Sequence, residues 1–399
     1  MLRSRNRQSQ KAPSSLDVSV FNAVIEWGDA GARLALARQL AAFMVARETP
    51  PEDREAVTAP VLRLLMDKEK EIRATLAEGL RAAKDLHPDI VFSIVADDDD
   101  IALPFLALSP ALAGARQMAI FEAGDMARRK ALAGRCDLEG KTVSAMALKG
   151  EMPVVEILLD NAAVTPSDDD LKRIYVRFRD ESRVMKRLMS RADLPLEIRI
   201  AHVRATSEKM RQRMRAGTWI APGDMRGLVV KAEESALMHI LAQAKTSEEL
   251  MSALAFMSRK EILTPSVILR AGCHGHVQVL EHAMAFLSGM SPKRAHGMAH
   301  GRNPLALRAL HGKSGLPQGC FLLVRAIFDT ARDMDYRNFS SEPIAPEAFG
   351  RALMSRLVSS YGRVPMLEKT RLVEVLARFC DDKTRALAER FTSGLLMAA

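Results

Sequence analysis

The chain of 399 residues is longer than one compact core usually supports, which excludes a single small domain and favours several domains or a stack of repeats. Its 48% hydrophobic and 27% charged residues exclude wholesale disorder, and its low aromatic content of 5% favours helices over sheets. The formal net charge of +9 favours an anionic partner without identifying it.

The sequence predicts no secretory signal at its beginning and no transmembrane helix. Residues 1–16 are basic and polar and lack an apolar segment, so we expect a disordered arm. The longest uncharged run, Ile101 to Ala115, is shorter than the about 20 residues that span a bilayer. The four cysteines form no CxxC pair, which argues against a disulfide framework and favours a cytoplasmic location.

An internal repeat is the clearest signal of architecture. The segment from Arg33 to Leu40 recurs forty residues later from Arg73 to Leu80, with an arginine, two leucines and an alanine in common. Helix pairs of HEAT and armadillo proteins recur at this period, because a single pair cannot bury its apolar faces alone. We therefore predict an all-α fold, an α-solenoid of HEAT- or armadillo-like helix pairs.

Breaks in the helical pattern divide the predicted solenoid. Glycine and proline clusters near residues 217–227 and 340–346 separate three segments. We predict HEAT-like repeats in residues 17–216, a second helical-repeat segment in residues 217–339 and C-terminal helices in residues 340–399.

Several helix starts have local signals. Ser167 with Asp170 forms a capping box, and Thr264 and Ser291 each precede a proline suited to the first helical position. After Ser167 the apolar spacing predicts one helix that continues to Leu188, with a strongly basic opposite face. The acidic run Asp97 to Asp100 lacks the pattern of an EF-hand loop, so we expect it to face the positive end of a helix that begins at Ile101.

The chain resembles a family of bacterial all-helical, HEAT-like proteins that is known only as a domain of unknown function. The resemblance covers about Ala32 to Arg332 and departs at Ala102–Pro104, where the repeat would favour another arginine. It implies a fold and neither an activity nor catalytic residues. The segments that carry it are Arg33 to Leu40, Arg135 to Leu138, Val154 to Asn161, Arg191 to Pro195, Leu263 to Leu280 and Leu316–Pro317.

The positive charge is concentrated in one segment. Between Leu171 and Lys231 there are sixteen lysines and arginines against six acidic residues, so the remainder of the chain is nearly neutral. Such a face either binds an anionic partner or is a solvated helix surface paired with neighbouring acids. The predicted binding residues are Arg173, Arg177, Arg187, Arg204, Lys209, Arg211, Arg213 and Arg215.

Histidines are also concentrated. Seven of the nine are His239, His274, His276, His282, His296, His300 and His311. His296 and His300 have the spacing of two metal ligands on one helix face, but no glutamate stands beside the first as in a metalloprotease helix. A zinc site that combines them with Cys273, His274 and His276 is the alternative to ordinary helix-end and surface histidines. The simpler interpretation predicts no metal site.

No motif identifies an enzyme. The chain lacks a Walker loop, a GxGxxG turn after a strand and a GxSxG elbow, so we predict no cofactor, no catalytic residue and no small-molecule substrate. The favoured function is a non-enzymatic scaffold that binds an acidic protein through residues 171–231. The alternative is a protein that binds the backbone of duplex nucleic acid, including a HEAT-like DNA repair enzyme for which Trp219 and Asp224 are the candidate pair.

Overall fold

The computed structural model describes residues 18–216, 222–301, 303–340 and 342–361. In these ranges all regular secondary structure is helical, which confirms the predicted all-α class. The chain divides into two compact units, Met1–Asp193 and Leu194–Ala399. The predicted arm at residues 1–16 lies outside the described residues, and so does most of the predicted C-terminal segment after residue 361.

The first unit consists of short helices. They are α1 (Val18–Trp27), α2 (Ala30–Val45), α3 (Pro51–Ala56), α4 (Thr58–Leu65), α5 (Lys70–Leu80), α6 (Pro88–Val95), α7 (Asp99–Leu108), α8 (Ala115–Ala123), α9 (Met126–Ala133), α10 (Gly140–Lys149), α11 (Met152–Asp160), α12 (Asp168–Phe178) and α13 (Ser182–Ser190).

The second unit contains longer helices and one 3₁₀ turn. They are α14 (Leu196–Ala216), α15 (Pro222–Ala242), α16 (Ser247–Arg259), α17 (Pro265–Cys273), α18 (Val277–Ser288), α19 (Pro292–His300), α20 (Pro304–Lys313), the 3₁₀ turn Gln318–Cys320, α21 (Phe321–Asp333) and α22 (Pro346–Tyr361).

Helices of the first unit pack as consecutive pairs. The pairs are α1 with α2, α4 with α5, α6 with α7, α8 with α9, α10 with α11 and α12 with α13. The second helices of these pairs also pack against one another in chain order, from α2 through α5, α7, α9 and α11 to α13. The apolar faces of α2, α5, α7, α9 and α11, with residues such as Leu40, Leu76 and Phe105, belong to one continuous buried cluster.

The local start signals are confirmed. The Ser167 hydroxyl accepts from the Asp170 N–H while the Asp170 carboxylate accepts from the Ser167 N–H, which is the predicted capping box. Thr264 and Ser291 cap α17 and α19 through their side chains, and a proline follows each of them. In the acidic run, α7 begins at Asp99, two residues before the predicted Ile101.

The single helix predicted from Ser167 to Leu188 is wrong. The structure ends α12 at Phe178 and begins α13 at Ser182. Between the buried Ile174 of α12 and the buried Val184 of α13 lies a polar turn, whose residues 179–181 are exposed. The apolar residues on both sides of this turn recur at the same helical spacing, so the sequence pattern resembles that of one continuous helix.

The repeated arginine joins each helix pair to the next. Arg33, in the first turn of α2, donates to the Gly28 carbonyl oxygen at 2.8 Å and to the Asp67 carboxylate at 2.7 Å. Gly28 lies in the turn of its own pair, whereas Asp67 lies in the turn of the following pair. The guanidinium therefore bridges two successive turns.

The same bridge recurs twice further along the unit. Arg73 in α5 donates to the Asp67 carbonyl oxygen at 2.9 Å and to the Asp97 carboxylate at 2.8 Å. Arg129 occupies the corresponding position in α9 and donates to the Phe121 carbonyl oxygen at 2.9 Å and to Glu151 at 2.5 Å. In α7 this position is Ala102, where the sequence repeat departs from its pattern.

A separate apolar cluster forms the core of the second unit. Its fully buried members include Leu254, Met284 and Phe328. α18 lies at the centre of this packing, because it contacts α16, α17, α19, α20 and α21. In the part of the chain that the structure describes, no helix combines the length and apolar character needed to cross a bilayer.

Replacement of Asp97 by alanine tests the arginine bridge. The variant removes the less exposed of the two carboxylates that contact Arg73, whose side chain is 17% exposed, and leaves only Asp98, so we expect the free energy of unfolding to fall by about 2 kcal/mol. Asp100→Ala, at the start of α7, is the matched control, because it removes only an exposed ion pair with Lys70 and should change stability little. Urea unfolding followed by circular dichroism measures both, and equal effects would contradict the bridge.

Candidate functional site

The predicted basic residues of the first unit bind acids or carbonyl oxygens within that unit. Arg173 contacts Asp170 at 3.0 Å, and Arg187 contacts Asp160 at 2.7 Å. This hydrogen bond with Asp160 raises the pKa of Arg187 above its usual value. These arginines therefore have partners in the fold itself.

Arg177 has a structural role at a helix end. Its guanidinium donates to the carbonyl oxygens of Ala147 and Gly150, at 2.6 and 2.8 Å, where α10 ends. Cationic donors are favourable at this position, because the last carbonyl oxygens of a helix lack intrahelical partners. Burial against the neighbouring pair lowers the pKa of Arg177.

The predicted basic residues of the second unit lie on α14. Arg204 and Arg211 both contact the buried Glu233 of α15, the first at 3.0 Å. Lys209 is exposed on the helix surface and takes part in an interaction with neighbouring groups. Arg213 is exposed and has no ion pair among the described residues, whereas Arg215 lies outside the side chains that the structure describes.

Other basic side chains of the first unit are directed to solvent. Arg183 and Lys186 of α13 are exposed and have no acidic partner among the described residues. Lys172 of α12 and Arg179, directly after the end of α12, meet only exposed acids, each at 3.5 Å. Val176, on the same stripe of α12, is 70% exposed. The residues Lys172, Val176, Arg179, Arg183 and Lys186 are called the α12–α13 basic face below.

In the second unit the structure places Glu281 beside the two histidines with metal-ligand spacing. His296 Nδ1 lies 3.1 Å from both carboxylate oxygens of Glu281, and His300 Nε2 lies 3.0 Å from Oε2. The ligand atoms of all three residues are within 4.8 Å of one another. Glu281 is buried in α18, while the His296 side chain on α19 is 55% exposed. This group is called the acid–histidine cluster.

A fourth side chain holds the carboxylate of this cluster. Asn338 donates from Nδ2 to Glu281 Oε2 at 3.0 Å, and its own Oδ1 is buried without a hydrogen-bond partner. Burial acts to raise the pKa of Glu281, but the hydrogen bonds from His300 and Asn338 outweigh it and lower the pKa below its usual value. Glu281 is therefore ionised at neutral pH.

The segment that presents Asn338 is fixed by α18. Gln278 Oε1 accepts from the Tyr336 hydroxyl at 3.1 Å and from the Phe339 N–H at 3.0 Å. Asp335 and Phe339 have left-handed φ values of 50° and 55°, which are costly for residues with a side chain. The hydrogen bonds of Gln278 thus stabilise a backbone conformation that brings Asn338 to Glu281.

The second predicted histidine group does not join this cluster. His274 Nδ1 interacts with the Arg270 carbonyl oxygen of its own helix at 2.9 Å, and Cys273 is buried in the apolar core. His276 is directed elsewhere and packs edge-on against His239. The side chains of Trp219 and Asp224, the candidate pair for a DNA repair enzyme, are not among those that the structure describes.

A cavity of about 830 Å³ opens beside these residues in the second unit. Its wall includes His276, Lys245, Tyr336 and Arg337. His276 Nε2 is buried and has no hydrogen-bond partner among the described residues. Burial, assisted by the nearby His239 and His274, lowers the pKa of His276 to about 4.

Glu281 was the residue that spacing alone did not identify. It lies fifteen positions before His296, and only the packing of α18 against α19 brings the two together. One signal does exist in the sequence, because Gln278, Glu281 and His282 interrupt an otherwise apolar run in a buried helix. Buried polar residues of this kind have a partner more often than not.

Comparison with known proteins identifies a family. A family model described as an uncharacterised protein conserved in bacteria (DUF2336) matches residues 101–360, more than half of the chain. No curated protein and no solved structure matches the chain. The match agrees with the resemblance to a bacterial family of unknown function, and its description names no activity.

The low pKa of His276 predicts a loss of stability in acid. The imidazole is neutral in the fold, with a pKa of about 4 against 6.5 for an ordinary histidine, so the unfolded chain binds more protons between these values. The free energy of unfolding should therefore decrease as the pH falls from about 6.5 to about 4, by about 3 kcal/mol from this residue. Urea unfolding of the wild type and His276→Gln at several pH values measures the difference. If both proteins lose stability equally, His276 is not the responsible group.

Proposed function

The chain belongs to DUF2336, a family of uncharacterised proteins conserved in bacteria, and we propose that it is a non-enzymatic helical-repeat scaffold in the cytoplasm. Its partner is an acidic protein, bound through exposed basic residues between Leu171 and Lys231. The observation that carries this proposal is the α12–α13 basic face, where Arg183 and Lys186 have no acidic partner among the described residues.

The packing of the first unit supports the repeat interpretation. Consecutive helices pair, and the second helices contact one another in order, as in HEAT-like stacks. Arg33, Arg73 and Arg129 form corresponding ion pairs in three of the helix pairs, which is expected of repeats with a common origin in sequence. Stacked pairs of this kind place their function on extended surfaces.

The α12–α13 basic face combines exposed cations with an exposed apolar side chain, which supports its proposed role as a binding surface. Lys172, Val176 and Arg179 follow one stripe along α12 and the residue directly after it, since residues three and four apart are neighbours on a helix. The exposed apolar side chain can be desolvated when a partner binds. The flexible cations around it can orient an acidic partner.

The surrounding acids favour a protein over a nucleic acid. Asp168, Asp169, Asp180 and Glu181 are all exposed at the ends of the same helices. A duplex presents a uniform row of phosphates, which these carboxylates would repel, whereas a protein can place its own cations opposite them. Base stacking is also unsupported, because the face contains no exposed aromatic side chain among its described residues.

Charge reversal at Arg183 and Lys186 tests the proposed surface. We expect Arg183→Glu with Lys186→Glu to reduce the affinity for a fluorescent polyglutamate peptide by about tenfold, because two attractive charges become repulsive. Fluorescence anisotropy at two salt concentrations measures this change. In the bacterial host the same variant should recover less of each partner that co-purifies with the wild type.

Arg38→Glu with Lys84→Glu is the matched control, since both residues are exposed in the first unit and the change in net charge is the same. This control should retain the wild-type affinity. Equal losses of affinity in both double variants would show that net charge alone causes the effect. That result would contradict the proposed binding surface. Tighter binding to a mixed-sequence DNA duplex than to the peptide, with a steep salt dependence, would instead favour the nucleic-acid function.

A further inference from the structure

Three acidic residues are buried as whole residues in the described ranges, and one of them has no arginine or lysine beside it. Asp170 contacts Arg173, and Glu233 contacts Arg204 and Arg211. Glu281 is 1% exposed, and its hydrogen-bond partners are two histidines and an asparagine. Histidine is charged only when protonated, so Glu281 lacks the arginine that neutralises the other two.

We propose that the acid–histidine cluster of Glu281, His296 and His300 binds one divalent transition-metal ion. Buried charges in proteins are paired with an opposite charge or coordinate a metal. A divalent ion between the carboxylate and the two imidazoles supplies the positive charge that the protein itself does not provide. The site lies within the second unit and is independent of the α12–α13 basic face.

The distances in the cluster suit a metal of zinc size. Zinc bonds to histidine nitrogen and carboxylate oxygen are about 2.0–2.2 Å, so two ligands of a tetrahedral ion are about 3.4 Å apart. The observed separations of 3.0 and 3.1 Å between the imidazole nitrogens and the carboxylate are a few tenths of an ångström shorter. A small outward movement of His296, which is the most exposed of the three, would admit the ion.

Asn338 orients the carboxylate as residues behind metal ligands commonly do. Its Nδ2 donates to Glu281 Oε2, the oxygen that His300 also contacts, and Oε1 is left to His296. Its Oδ1 is buried, faces no donor among the described residues and is well suited to accept from a water molecule bound to the ion. This unsatisfied atom next to the cluster is a second observation that indicates a missing ligand.

The donor set selects the class of metal. Two imidazole nitrogens with one carboxylate favour zinc and other first-row transition ions, whereas magnesium and calcium prefer oxygen ligands. Three protein ligands leave at least one position for water, and the exposure of His296 provides a route from solvent. Through Asn338 the ion would also attach α18 and α19 to the segment that follows α21.

Zinc titration of the full chain tests the site. After dialysis against a chelator, isothermal titration calorimetry of the wild type should show one zinc ion bound per chain. His296→Ala should weaken this binding by about tenfold or more, because it removes a ligand from an exposed position without disturbing the core. His239→Ala is the matched control, since His239 is also an exposed histidine of the second unit, and it should remain within about twofold of the wild type.

Two further measurements make the result decisive. Saturating zinc should raise the thermal unfolding temperature of the wild type and of His239→Ala but not that of His296→Ala, since only a bound ion stabilises the fold. A large excess of magnesium should not displace zinc. The proposal would be overturned if the wild type bound no zinc or if His296→Ala bound zinc with the wild-type affinity. It would also be overturned if the cobalt-substituted protein showed thiolate-to-cobalt absorption, because this band indicates a cysteine ligand.

Discussion

The cost of burying a charged group without a partner governs this structure. In the first unit, Arg33 and Arg73 are largely enclosed between helix pairs, and each donates both to a carbonyl oxygen of its own pair and to a carboxylate of the next. Such a guanidinium is satisfied only if the following pair is in place. The bridge therefore fixes how successive pairs stack, whereas the apolar faces alone would tolerate small rotations between them.

The same constraint acts in the second unit with a different outcome. Glu233 obtains two arginines from α14, but Glu281 on the central helix α18 obtains two histidines and an asparagine. The difference is chemical, because imidazole is a good metal ligand in the form in which it carries no charge, and arginine does not act as one. A carboxylate surrounded by such groups is stabilised by a cation that enters from solvent. The buried acids Asp170 and Glu233 are thus satisfied by arginines, whereas Glu281 is satisfied by histidines and an asparagine.

Sequence reasoning succeeded where the determinants are local. A capping serine with its aspartate three residues later is a complete signal, so Ser167 predicted the start of α12. The helix predicted to run on to Leu188 failed, because apolar spacing does not record the polar turn at residues 179–181. The association of Glu281 with His296 and the bridge of Arg129 depend on the packing of separate helices. No characteristic spacing of these residues along the chain predicts these contacts.

The basic segment shows why charge counted along a chain differs from charge displayed on a surface. The acids that contact Arg173, Arg187 and Arg204 lie outside residues 171–231, since they are Asp170, Asp160 and Glu233. Folding therefore offsets part of the local excess with carboxylates that the linear count assigns elsewhere. A surface that selects a partner depends on the cations that remain unpaired after this compensation. In the first unit, Arg183 and Lys186 are exposed cations without an acidic partner among the described residues. An acidic protein can bind them without first breaking an ion pair between described residues.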